Sequence, residues 1–285
     1  MKHRQSRITL LPIAAALALS CASPPDEIVD GVSVNEIVLG ETTWDELAGR
    51  IGRGCEEVTH GTYSRECRCA EEGLSIYTRM KETDTTVFAI NVRPPFAAPT
   101  SRGIVAGKSS LRDVVDAYGP DECRWVGAGD LICLEYSGID FCADRREFHE
   151  HEGETVVARV GIDLDRVKPE AWREGDPIER MFAVRAEGTL NRVLVTGDKP
   201  FQMMADIAFE HEGGTHYVQF APGDTTMKGI SFSDLRRPTS TFDARYFVKG
   251  SLMEDERLFV RYIERVEGTG TGEREVSIGV PSPGD

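Results

Sequence analysis

Hydrophobic and polar positions alternate with a period of two over several short stretches, and each such stretch predicts a strand with one buried face. Phe88, Ile90 and Val92 alternate in VFAINV (87–92), as do Ala158, Val160, Ile162 and Leu164 in VARVGIDL (157–164). GLSIYTR (73–79) and GIDFCAD (138–144) add two strands in matching order. Two other segments read as short helices with marked ends. Thr43 and Glu46 form an S/T-x-x-E capping box, and Ser110 with Asp113 a shorter version of it. Gly52 and Gly119 stand where a helix C-terminal glycine belongs, and Pro120 blocks continuation.

These elements repeat. IVLGETTWDELAGRIG (37–52) aligns with IVAGKSSLRDVVDAYG (104–119) at an offset of 67, matching Gly40 with Gly107, Thr43 with Ser110, Glu46 with Asp113 and Gly52 with Gly119. A helix followed by an antiparallel meander, twice, predicts α+β units at 34–100 and 101–167. The polar, proline-bearing segment around 168–180 predicts a linker. Beyond it helical periodicity fades, and strands are expected near 181–195, 203–210, 215–221, 229–233, 244–252 and 257–266. Composition makes 268–285 a flexible tail.

The Gly-x-Thr/Ser-Thr/Ser start, the short helix ending in Gly and the Gly-hydrophobic-x-hydrophobic strands resemble the helix-plus-sheet repeats of the β-lactamase-inhibitor-protein fold over about 34–166. The SmpA/OmlA outer-membrane lipoproteins of the barrel-assembly machinery share that type of unit. The matching residues Thr43, Gly52, Ser110 and Gly119 are capping residues, so the resemblance implies a fold and carries no contact residue across. ARYFVKGSLMEDERLFVRYIERVEG (244–268) resembles the last strands of small OB-like barrels. The expected fold class is therefore α+β: two tandem small helix-plus-antiparallel-sheet repeats, then an all-β domain at 181–267, either an OB-like barrel or a sandwich.

The first residues supply an address. Lys2, Arg4 and Arg7 precede an apolar run from Ile8 to Leu19, too short to span a bilayer and suited to a secretion signal. Leu17-Ala18-Leu19-Ser20-Cys21 resembles a bacterial lipoprotein signal, which implies removal of 1–20 and lipidation of Cys21; the alternative is an ordinary signal peptide cut near Ala22. Ala22 after the cysteine implies, by the same resemblance, the outer membrane, with 21–33 as a tether. Loss of the three basic residues takes the net charge from −15 to −18, which excludes a nucleic-acid partner. With 40% hydrophobic residues the rest is a folding chain.

Of seven cysteines, Cys21 is the expected anchor. Cys55, Cys67, Cys69, Cys123, Cys133 and Cys142 remain, all expected in disulfides in an oxidising compartment. The preferred pairing is Cys55 with Cys67, Cys123 with Cys133, and Cys69 with Cys142, among 15 connectivities. Zinc at Cys55, Cys67 and Cys69 is the competing reading, but structural zinc sites space paired cysteines more widely than Cys67-Arg68-Cys69.

Two motifs nearly match known chemistry. GIVAGKSS (103–110) lacks the first glycine of a phosphate loop, whose position is Arg102, and the repeat makes GKSS the counterpart of GETT. HEGGTH (211–216) has its second histidine one residue late for a zinc-protease helix. With Gly213-Gly214 as a two-residue turn, His211 would face His216 across a hairpin, a candidate metal pair or a polar tip. His149 and His151 are expected in a solvated acidic loop. No G-x-S-x-G elbow occurs, and no carboxylate pair stands out for acid/base work.

The expected function is a non-enzymatic, lipid-anchored cell-envelope protein without a cofactor, acting as a protein-binding or scaffold module. Its partners would be the membrane, through Cys21, and another protein. Two alternatives remain: an enzyme inhibitor, as the resemblance implies, and a metal-binding envelope protein.

Overall fold

The computed structural model describes residues 27–49, 54–80, 85–121, 123–164, 175–196, 203–235, 244–253 and 255–266, so Cys21, the expected leader, Gly52 and the expected tail lie outside the described residues. Within them the two copies of the repeated motif make the same hydrogen bonds. Gly40 and Gly107, at φ +77° and +78°, each donate an N–H to a carbonyl, of Val87 and Val157 respectively, at 2.7 Å. The N–H groups of those valines donate back to the carbonyls of Thr42 and Ser109 at 2.8 and 2.9 Å. One residue further on, Thr43 and Ser110 are the N-caps of α1 (Trp44–Ala48) and α2 (Leu111–Tyr118). The capping boxes form: the Glu46 carboxylate accepts from the Thr43 N–H, and the Asp113 carboxylate from the Ser110 N–H, both at 2.7 Å. GKSS thus ties a helix start to a strand, and only glycine suits its first position, where a Cβ would also lie 2.5 Å from Pro94 Cγ.

Before α1, Ile28–Val29 (β1), Ser33–Val34 (β2) and Ile37–Val38 (β3) form a small antiparallel sheet. Ile28, inside the expected tether, is fully buried and donates its N–H to the Pro99 carbonyl at 2.9 Å. Each repeat then supplies four strands. The first gives Glu56–His60 (β4), Ser64–Cys69 (β5), Leu74–Arg79 (β6) and Val87–Val92 (β7). The second gives Arg124–Ala128 (β8), Leu131–Tyr136 (β9), Ile139–Asp144 (β10) and, after helix α3 (Arg145–His151), Arg159–Asp163 (β11).

The expected α+β layout of two helix-plus-sheet repeats is corrected here. Among the described residues 49% are in strands and 16% are helical, with three sheets and five short helices. All eight repeat strands merge into one sheet in the order β4-β5-β6-β7-β11-β10-β9-β8. The physical reason lies at the join. β7 and β11 pair antiparallel with Val92 opposite Val160 and Ile90 opposite Ile162. These four side chains are at most 1% exposed, so neither unit closes its own core. The helices are too short to cover a sheet each: α1 buries only Trp44 and Leu47.

The second half opens with α4 (Pro177–Met181), inside the expected linker. The Asp176 carboxylate caps it, accepting from the Ile178 N–H at 2.8 Å, and Ile178 and Phe182 pack into the core of the first half. Val184–Thr196 (β12), Met203–His211 (β13), Gly214–Gln219 (β14), Thr226–Lys228 (β15), Arg245–Leu252 (β16) and Leu258–Val266 (β17) follow, with α5 (Phe232–Leu235) after β15. The strand expected at 229–233 is instead a turn into α5, where the Asp234 carboxylate accepts from the Ser231 N–H at 2.9 Å. Parallel pairing of Val218 with Leu258 joins β14 to β17, so β12, β13, β14, β17 and β16 close into a ring.

Ion pairs fasten the ring to the sheet. Lys249, 6% exposed, donates to the Glu150 carbonyl at 2.9 Å and pairs with Glu152 at 3.1 Å. Arg185 also pairs with Glu152, at 2.9 Å, and Arg145 pairs with Asp224. No helix among the described residues is long and apolar enough to cross a membrane.

Candidate functional site: the polar row of the sheet

The eight-stranded sheet has two unlike faces. One packs against the helices: Arg65 of β5 stacks over Trp44, and Tyr136 and Phe141 of β9 and β10 pack against Tyr118. Alternation sends the intervening residues to the opposite face, and strand register aligns them. Glu56, Arg68, Ser75, Asn91, Gly161, Asp140, Glu135 and Arg124 lie directly opposite one another from β4 to β8. This row crosses the whole sheet, roughly 34 Å at the usual strand spacing.

Charges cluster at its two ends. In the first half Glu66, 1% exposed, accepts from Arg68 at 2.9 and 3.0 Å and hydrogen-bonds His60 at 2.7 Å. Burial pushes its carboxyl up, but the bonds from Arg68, His60 and Ser75 outweigh that and hold it below the ordinary value. Arg68 reaches on to Glu56 at 3.2 Å. In the second half Asp140, 3% exposed, pairs with Arg159 at 2.8 Å, while Glu135 pairs with Arg124. Between the clusters Asn91 donates to the Tyr77 hydroxyl at 3.4 Å. Gly161 opens space there: a Cβ would lie 2.0 Å from an Asp140 oxygen and 3.0 Å from the Asn91 side-chain oxygen. Ion pairs laid flat across a sheet present a fixed pattern of charge, the kind of surface that sets partner choice more than raw affinity. None of these residues was singled out in sequence as a site; the signal was the period-two placement of Glu66 and Arg68 in SRECRC.

The expected disulfide pairing is corrected. The bonds are Cys55–Cys69 and Cys133–Cys142, with Cα separations of 4.1 and 4.0 Å. Both join neighbouring antiparallel strands at directly opposite positions, since Glu56 pairs with Arg68 and Cys133 with Cys142. Cys67 joins neither bond; its Sγ lies 3.9 Å from that of Cys69. Cys123 holds the place in the second repeat that Cys55 holds in the first, but the residue across from it is Tyr136, to which it hydrogen-bonds. Cys133 points to the other face, out of its reach. Cys69 and Cys142 are four strand spacings apart, roughly 19 Å, and also on opposite faces.

The structure brings His211 and His216 together on one face, rings stacked with centroids 5.4 Å apart. Their register differs from the expected one: His211 pairs with Gly214 and Phe209 with His216, leaving Glu212-Gly213 as the turn. The His211 Nδ1 accepts from the Gly213 N–H at 3.0 Å and fixes that tip. Burial, then the neighbouring His216, lowers the His211 pKa. Among the described residues no third His, Cys, Asp or Glu joins the pair in a cluster that could hold a metal. His149 is not in a solvated loop but on α3, 1% exposed, with Nδ1 3.0 Å from Thr226 Oγ1.

Fold and site together define a mostly β protein, cross-linked by two disulfides, with a fused eight-stranded sheet that carries charged residues on the face opposite α1 and α2. No protein-family model matches the chain, and no curated protein matches it.

Proposed function

We propose that this chain is a non-enzymatic, lipid-anchored protein of the cell envelope that presents the polar row of its sheet to a protein partner. The observation that carries the reading is the unbroken register from Glu56 to Arg124, which turns two repeats into one surface. Its length, with charge gathered at both ends, suits a folded protein better than a small ligand. The anchor rests on the sequence alone, through the lipoprotein-like signal ending at Cys21, with the outer membrane as the address.

Two experiments test the two parts. Radioactive palmitate should label the wild-type chain in cells and fail to label Cys21→Ser; equal labelling contradicts the anchor. Affinity purification of the mature protein from detergent-solubilised envelope should recover a stoichiometric partner, and repeated recovery of the protein alone contradicts the binding role.

A further inference from the structure

We propose that Cys133–Cys142 is a redox-active disulfide that accepts two electrons from a dithiol, with Cys133 as the sulfur attacked, Cys142 as the leaving group and Arg159 beside the leaving thiolate. The two disulfides of the sheet have unlike surroundings. Cys55 and Cys69 belong to the apolar core, whereas Cys133 and Cys142 lie on the face of the polar row. Arg159 stands directly opposite Cys142, and one of its terminal nitrogens donates to Cys142 Sγ at 2.8 Å and lies 3.6 Å from Cys133 Sγ. The same nitrogen donates to Asp140 Oδ2 at 2.8 Å, and that oxygen is 3.4 Å from Cys142 Sγ. A sulfur in a disulfide is a weak acceptor and has no proton to donate. Reduction turns it into a thiolate, which a guanidinium stabilises, or a thiol, which donates to a carboxylate, so these neighbours favour the reduced form.

Position selects the route. An attacking sulfur must approach in line with the bond that breaks. On the Cys142 side, towards β11, Arg159 holds that line; on the Cys133 side it leads over Val126 of β8 to the edge of the sheet. A thiolate of the donor bonds to Cys133 Sγ, the Cys133–Cys142 bond breaks, and Cys142 leaves with the electron pair beside Arg159 and takes up a proton. The donor's second thiolate then bonds to its first sulfur, and Cys133 leaves and takes up the other proton. The donor ends as a disulfide and the protein as two thiols, two electrons and two protons having passed between them.

The test is an equilibrium titration of the folded, oxidised full chain with reduced and oxidised dithiothreitol, followed by acid quench, alkylation and peptide mapping of both bonds. Cys133–Cys142 should be half reduced at a reduced-to-oxidised ratio about tenfold lower than Cys55–Cys69 requires, the effect of one charge-assisted hydrogen bond. Arg159→Met should raise the ratio for Cys133–Cys142 about tenfold and leave that for Cys55–Cys69 in place. Because this variant leaves the buried Asp140 carboxylate without its guanidinium, a double variant, Asp140→Asn with Arg159→Met, removes both charges and should show the same rise; it decides the matter where the single variant does not fold. Reduction of both bonds together, reduction of Cys55–Cys69 first, or a Cys133–Cys142 ratio unchanged in the double variant overturns the proposal and leaves that bond a structural cross-link.

Discussion

Glu66 and His149 are both buried ionisable groups, and their surroundings treat them in opposite ways. Glu66 keeps its charge because Arg68, His60 and Ser75 bond to it. Glu66→Ala removes these charge-assisted bonds and should cost about 2 kcal/mol, read as a lower denaturant midpoint with an unchanged slope. His149 is pushed the other way: burial, then Arg261, Arg145 and Lys249 around it, lower its pKa to about 4 despite Asp224. The unfolded chain therefore binds the proton first, near pH 6.5. Stability should fall as pH drops from about 6.5 to about 4, by about 3 kcal/mol from this group, and this group adds no further loss below that. His149→Gln should flatten that slope in midpoints taken at pH 7, 5.5 and 4.5; parallel slopes contradict the assignment. In sequence His149 stood among Glu147, Glu150 and Glu152 and looked solvated, because the acids that surround it along the chain are not its neighbours in space.

At the scale of elements, local signals were legible and long-range register was not. The capping boxes at Thr43 and Ser110 and the alternation in β6, β7, β10 and β11 show directly in sequence because each depends on residues a few positions apart. The disulfide map depends on which strands face each other, and there one departure from the repeat, Tyr136 where the first unit has Cys69, defeats pairing by analogy. The hairpin tip at His211 missed by a similar margin, since two adjacent glycines allow either turn. Gly107→Ala tests the account of the repeated motif: a Cβ there meets positive φ and Pro94, so a loss of about 2 kcal/mol is expected in thermal or denaturant unfolding. Cys133→Ser opens a bond that closes a short loop and should cost about 3 kcal/mol, whereas Cys67→Ser, which opens none, should cost clearly less. Equal losses in the two cysteine variants contradict the observed pairing.

For the whole molecule, the repeat of 37–52 at 104–119 shows in sequence, while the fusion of both repeats into a single sheet does not. Val92 and Val160 read alike as inward residues whether they cap two sheets or join one, so alternation alone cannot tell the cases apart. The same holds for the candidate site: exposed Glu56 and Arg124 and buried Glu135 and Asp140 each follow the alternation of their own strand, and only pairing across β7 and β11 brings them into one line. Arg185, Lys249 and Arg145 then fix the ring against the sheet. The most direct test of the proposed role is comparative affinity purification from detergent-solubilised envelope, using the wild type and a Tyr77→Ala, Asn91→Ala variant at the centre of the row. The wild type should bring down a stoichiometric partner and the variant, folded by its unchanged denaturant midpoint, should lose it; a partner retained equally by both would contradict the assignment of this face.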